Sequence, residues 1–256
     1  MNILAIETTG AEASVAVINE QGEVFMEASD QKLNHLQNLM PMVDTLLSNC
    51  GLTIDDVSYI AVSEGPGSFT GIRIGVSSAR ALAQALGLQT ISVPTLKSFL
   101  YNVPEYDGII CPIFDARRSQ VYGGAYQWIH GKADEVVTGG AYDLSELLEL
   151  LKTAIQAADS QPSESINSKT KAPVEVTFFG DGIIPYKETI VEWQNSLSND
   201  DIRVLFAEDD VKLQKASSVA RLALEIYRDG KIKSLYDLKP VYMRKAEAER
   251  KLEEKA

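Results

Sequence analysis

The residues with the most evident capacity for chemistry form one stretch, Glu64-Gly65-Pro66-Gly67-Ser68-Phe69-Thr70-Gly71-Ile72-Arg73-Ile74-Gly75. It lies between a short apolar run, residues 59–62, and an Ala/Leu-rich segment, residues 76–86. That order reads as strand, tight loop and helix. A loop of this kind aims backbone N–H groups at whatever sits over the helix N-terminus, where the macrodipole favours anions, so a phosphate cradle is the first chemistry to test. A P-loop requires Gly-Lys-Ser/Thr, and no such triplet occurs in the chain. The dinucleotide pattern G-x-G-x-x-G would need glycine where Thr70 stands, and Pro66 removes an N–H. A turn whose glycines only let the backbone bend accounts for the same residues. Gly71, Gly75, Ala79 and Ala83 then recur every fourth residue, a narrow stripe that a helix of this chain or of a partner could approach closely.

Other chemistries have less to stand on. Serine and cysteine nucleophiles lack a plausible histidine base and an elbow motif. The two histidines, His35 and His130, are far apart in sequence, and His35 reads as a surface or capping residue. Gly180-Asp181-Gly182 follows a strand and reads as a phosphate or metal-water element or as a tight strand-to-helix turn. Asp115, Arg117 and Arg118 read as a salt-bridged turn or as a contact for RNA or a partner.

Composition narrows the classes. With 256 residues, 45% apolar and 23% charged, the chain suits one large or two small globular domains. Two cysteines, Cys50 and Cys111, are too few for a disulfide framework and fit a reducing, cytoplasmic setting. No leader segment and no membrane-spanning apolar run is visible. A net charge of −12 makes a stand-alone nucleic-acid binder a poor reading, because phosphate binding rests on clustered Lys and Arg.

The elements that must position these residues follow in order. Strands over 2–7, 14–18 and 23–28 form an antiparallel meander, with a turn at residues 19–22. A helix over 33–50 carries Leu36, Leu39, Met40, Val43, Leu46, Leu47 and Cys50 on one face, with Pro41 inside it. Residues 53–56 resemble a capping box. Strand 59–63, the glycine loop, a helix over 71–86 closed by Gly87, strand 90–93 and a helix from Pro94 to about 101 follow. A second half repeats the theme: strands 109–114 and 120–128, helix 144–158, a polar loop near 159–171, strand 174–179, helix 186–194 and strand 204–206. A helix from a Ser217 N-cap to Tyr227 comes next, and residues 245–256 read as a charged tail. The organisation is therefore residues 1–105, completed by 217–244, and residues 106–216.

Several of these residues carry a family likeness. Ile3-Leu4-Ala5-Ile6-Glu7-Thr8-Thr9 with Ser14-Val15-Ala16-Val17, the glycine string from Gly65 to Gly75, Asp115-Ala116-Arg117-Arg118 and Pro240-Val241-Tyr242-Met243-Arg244 are similar to the TsaB (YeaZ) family. The likeness is dense over residues 1–128 and sparse beyond. It implies an α/β fold of the actin-like ATPase-domain (ASKHA) type, with two related βββαβα halves. It also implies a part in transferring a threonylcarbamoyl group from threonylcarbamoyl-adenylate to the adenosine 3′ of the anticodon in ANN-decoding tRNAs. In that system TsaD is the transferase, TsaB its dimerisation partner, and a small ATPase, TsaE, binds the pair, so tRNA is met through the complex.

The resemblance implies a division of labour that the residues can test. TsaD-like subunits bind a metal through His-x-x-x-His, whose spacing puts both rings on one helical face. Thr95 and Phe99 stand at those positions, so the expectation is a non-catalytic accessory subunit without a metal of its own. Thr8, Thr9 and Gly10 could hold a nucleotide phosphate as in the wider fold, where an Asp is expected in place of Glu7. ATP or ADP at an interface shared with the partner is left open. The expected partner surface is Leu36, Met40, Val43 and Leu47 from one helix, with Gly71, Gly75, Ala79 and Ala83 from the other. In the family these helices meet those of TsaD in a four-helix bundle. Homodimerisation through the same helices is left open. The rival is a stand-alone ATP-binding kinase or ATPase of the same fold, and Glu7 together with the lack of a late adenosine-binding glycine pair counts against it.

Overall fold

A computed structural model describes residues 1–29, 35–159, 173–197 and 201–243, apart from the side chains of residues 35, 36 and 159. The expected loop near 159–171, the tail at 245–256 and the side chains of Leu36 and His35 lie outside the described residues.

The first sheet is built from β1 (Asn2–Glu7), β2 (Ser14–Asn19), β3 (Val24–Ala28), β4 (Tyr59–Gly65) and β5 (Gln89–Pro94), in the order β3-β2-β1-β4-β5. β1 runs antiparallel to β2 and parallel to β4. The second sheet holds β6 (Ile109–Asp115), β7 (Gln120–Ile129), β8 (Lys132–Asp143), β9 (Val174–Phe179) and β10 (Ile202–Phe206), ordered β10-β9-β6-β7-β8. Strand for strand this is the same topology, an antiparallel meander extended by two parallel strands. Two related α/β halves of the actin-like type are the result.

The central strands are apolar on both faces because both faces are covered. In β1, Leu4 and Ile6 pack beneath α1 (His35–Asn49) and α2 (Phe69–Leu86), while Ile3 and Ala5 pack against α6 (Ala216–Arg228). In β6, Cys111 and Ile113 face α4 (Leu144–Asp159) and α5 (Ile183–Ser196). Ile110 and Phe114 face the other way, against Leu96 of α3 (Thr95–Ser98) and Phe99 just beyond it.

Three expectations need correction. The sequence reading passed from residue 128 to the helix at 144, whereas β8 occupies the interval. Its entry is a tight turn in which His130 (φ 49°) and Gly131 (φ 72°) are both left-handed, the geometry that closes two-residue hairpins. α6 starts at Ala216, and no Ser217 cap forms. The amide of Ala216 instead donates to Ser14 Oγ at 3.0 Å, a hydroxyl supplied by tertiary contact. α2 opens at Phe69, two residues before the expected start, because Ser68 Oγ accepts from the Gly71 amide and caps it. Gly87 closes it in the left-handed conformation, as its position suggested.

After α6 the chain returns along the first sheet. Lys233 bridges Thr90 on the β5 edge, Leu238 is fully buried, and the Val241 amide donates to the Glu64 carbonyl at 2.8 Å. Met243 reaches the second half beside Gly139 of β8. Among the described residues no helix is long and apolar enough to cross a membrane.

Candidate functional site

The glycine loop is shaped by what lies behind it. A Cβ on Gly67 (φ 154°) would stand 2.6 Å from Thr9 Cβ, and the Ser68 amide donates to the Thr9 carbonyl at 2.8 Å. One on Gly71 would stand 1.9 Å from the Thr8 carbonyl oxygen, and one on Gly75 would stand 2.4 Å from Thr8 Oγ1. Thr8 Oγ1 donates to the Gly71 carbonyl at 2.8 Å. These glycines let α2 press against the β1–β2 turn of its own chain.

This overturns most of the expected partner surface. Gly71 and Gly75 are buried against Thr8, and Ala79 and Ala83 are fully buried in the core beside Leu4, Ile6 and Val43. Val43 and Leu47 are buried there too, as is Met42, so of the expected α1 residues with a described side chain only Met40, 41% exposed, points outward. The physical reason is the layer architecture: a helix lying on a sheet must bury its apolar stripe on that sheet. The outward face is the complementary set, Asp44 and Thr45 on α1 with Arg73, Ser77, Arg80 and Ala81 on α2.

The turn after β1 lies at the mouth of a cleft of about 500 Å³ between the halves. Thr9 and Gly10, Ser68 to Thr70, Asp115 with Arg117, and Asp181 contribute to its walls. Thr8 does not fit the expected phosphate role, because it is buried and its hydroxyl is held by α2. Thr9 is also buried, its Oγ1 donating to Glu7 Oε1 at 2.6 Å and its amide to the same oxygen at 2.5 Å. The Ser63 hydroxyl donates to the other Glu7 oxygen. Glu7 is wholly buried, and burial raises its pKa above the usual carboxylate range against the lowering pull of these hydrogen bonds. A carboxylate shut behind its own turn, with both oxygens hydrogen-bonded, does not fit a role in holding a nucleotide phosphate or its cation.

Across the cleft, Asp115 organises the β6–β7 turn. Its Oδ1 accepts from the Arg117 amide at 2.7 Å and from the Tyr186 hydroxyl at 3.0 Å, and its amide donates to Asp181 Oδ1 at 3.3 Å. Burial and the bond to Asp115 push the Tyr186 hydroxyl up to about 12, so it remains a donor at neutral pH. Arg117, Arg118 and Ser119 occupy three consecutive left-handed positions, with φ of 63°, 56° and 61°. The turn is thus held by carboxylate-to-amide bonding, and Arg117 faces the cleft. Gly180 (φ 92°) has its Cα against the Ile113 carbonyl, where a Cβ would stand 2.2 Å away, so Gly180-Asp181-Gly182 is the tight turn between β9 and α5.

Thr95 and Phe99 are fully buried. Thr95 Oγ1 has no hydrogen-bond partner among the described residues, and Phe99 packs against Phe114 and Phe179 with ring centroids 5.7 and 6.0 Å apart. One feature escaped the sequence reading. Arg73 lies with its guanidinium carbon 3.9 Å above the Phe69 ring, and its Nε donates to the Tyr242 hydroxyl at 2.9 Å. The two rings are 4.7 Å apart. Phe69 and Arg73 at spacing four announce a helical pair, but Tyr242 is 169 residues away and had no local signal.

Comparison with known proteins gives one family, two relatives and one solved structure. The family model for TsaD, tRNA N6-adenosine threonylcarbamoyltransferase, matches residues 26–252. The tRNA threonylcarbamoyladenosine biosynthesis protein TsaB of Bacillus subtilis (strain 168) is 41% identical over 152 residues, 59% of this chain and 66% of that protein. The protein of the same description from Escherichia coli (strain K12) is 36% identical over 145 residues, 54% of this chain and 62% of that protein. The matched stretches thus span less than two thirds of either relative. Among solved structures, YeaZ from Pseudomonas aeruginosa superposes with a TM-score of 0.69 at 23% identity, covering 94% of this chain and 99% of that one, a likeness of fold.

Proposed function

This chain belongs to the TsaB (YeaZ) branch of the TsaD family, and from that membership we propose that it is the accessory subunit of a tRNA threonylcarbamoyladenosine-forming complex. It stabilises and activates a metal-bearing TsaD-like transferase, and the chemistry takes place on that partner. The observation that carries this reading is the condition of Thr95 and Phe99. The resemblance assigns these positions to the transferase's ligand histidines, and here they hold core packing residues with no group able to bind a metal as imidazole does.

The partner docks on the outward face of α1 and α2, through Met40, Thr45, Arg73, Ser77, Arg80 and Ala81. The buried stripe of α2 supports that face from beneath. In this reading residues 1–105 with 217–244 act as the docking half and residues 106–216 as the second half. A small ATPase of the TsaE type and tRNA are met through the assembled pair. Gly10, at the cleft, remains the candidate for contact with a small anion at an interface shared with the partner, without the magnesium chemistry of the wider fold.

The test is a threonylcarbamoyl-transfer assay with purified components. The chain alone gives no transfer to tRNA, the TsaD-like subunit alone gives little, and the mixture restores it. Transfer by the isolated chain, or tight binding and turnover of Mg²⁺-ATP by it, overturns the accessory reading in favour of an enzyme.

A further inference from the structure

The outward face of α2 is basic on an acidic chain. Its eighteen residues hold two arginines and no acid, on a chain with 36 Asp and Glu against 24 Lys and Arg. Arg73 and Arg80 are both exposed. Among the described residues neither forms an ion pair with a carboxylate. They flank a groove of about 480 Å³ whose floor and sides include Ser77, Ala81, Gln84 and Pro240. The groove is therefore lined by small or uncharged groups between two cations.

Two further features fit this groove to a helix. Seven residues separate the arginines, which is close to two helical turns, or about 10 Å along the axis. A second α-helix lying alongside repeats its facing positions at the same interval, so it could meet both cations with side chains spaced i and i+7. Arg73 is also held in place before any partner arrives, because Phe69 and Tyr242 clamp its guanidinium. A pre-positioned arginine beside aromatic rings loses little freedom on binding. Pro240 and Tyr242 come from the returning C-terminal segment, so that segment forms one wall of the groove.

We infer that the α2 groove seats an acidic helix of the partner subunit, with carboxylates seven residues apart pairing with Arg73 and Arg80. This rests on the docking face proposed above and states what that face recognises. Charge complementarity carries it: a groove with two arginines and no acid attracts a carboxylate-bearing surface.

The experiment is calorimetry of the full chain with the TsaD-like subunit at low and high salt, using Arg80→Glu, Arg80→Gln and Ala81→Trp. Arg80 is exposed, and unchanged thermal unfolding of its variants shows that the fold is intact. The expected result is that Ala81→Trp abolishes the complex and that Arg80→Glu weakens it about 30-fold, more than Arg80→Gln does. High salt weakens the wild-type complex and narrows the gap between it and Arg80→Glu. If Ala81→Trp leaves the complex intact, the docking face itself is wrong and this inference falls with it. If Ala81→Trp abolishes the complex while Arg80→Glu binds as the wild type does at either salt, the docking face stands and the acidic helix is overturned. If Arg80→Glu spares the complex but weakens its hold on tRNA, the groove reads RNA and the inference is likewise overturned.

Discussion

Glu7 illustrates how a residue at a catalytic-looking position can be turned to structure. Its carboxylate closes the β1–β2 turn by accepting from the Thr9 amide, the Thr9 hydroxyl and Ser63. Because burial raises its pKa, the folded protein holds this proton to higher pH than the unfolded chain does. Between the ordinary carboxylate pKa and the raised one, folding therefore carries an extra proton, and stability falls as pH rises through that window. Glu7→Gln removes the titration. Urea unfolding from acid to neutral pH should show the variant gaining on the wild type as pH rises. Parallel curves would sink the assignment. Only the family resemblance marked the position of Glu7, where an Asp is expected. That it faces inward depends on Ser63, 56 residues away, and no local pattern carried that.

At the scale of elements, α2 and the returning C-terminal segment act together. α2 is capped at both ends, by Gly87 as the sequence suggests and by Ser68, which the sequence did not mark as a cap. Its partner segment has no regular structure of its own, yet it is pinned by the bridge between Lys233 and Thr90, by buried Leu238 and by the bond from Val241 to Glu64. Leu238 joins the core that also holds Ala79, Ala83 and Val43. Leu238→Ala should therefore cost about 3 kcal/mol in urea unfolding, the usual range for a buried leucine. The same variant should weaken partner binding if the segment walls the α2 groove. A loss of stability under about 1 kcal/mol would mean that the segment is not anchored by this residue. The helices and strands were mostly legible, because apolar period and cap residues are local signals. β8 was not, because its alternation is broken at Gly139 and Gly140, and an irregular register there hides the strand period.

At the scale of the molecule, the two sheets share a topology and meet across the cleft. Asn102, at the end of the passage from one half to the other, ties them near that crossing. Its Nδ2 donates to the carbonyls of Val211 and Leu213 at 2.6 and 2.8 Å, and its Oδ1 accepts from the Ser218 hydroxyl at 2.6 Å. Asn102→Ala leaves those groups unpaired, at a cost of about 2 kcal/mol. For a chain of this size, that corresponds to a fall of roughly 4–8 °C in the unfolding temperature by calorimetry. No change would show that water replaces the side chain without loss.

By itself the sequence determined the class of fold and the family. Continuous apolar strands demand cover on both faces, and the order of strands and helices repeats in the second half. It also determined that α2 has one side that something approaches closely, since Gly71, Gly75, Ala79 and Ala83 admit little else. Only the tertiary structure decided what approaches. Spacing records that side chains are small and leaves their direction open. The direction is set by Thr8, 63 residues before Gly71, whose hydroxyl and carbonyl fill the space that side chains on those glycines would need. The stripe is therefore internal, and the outward face of α2 is the one marked by Arg73 and Arg80.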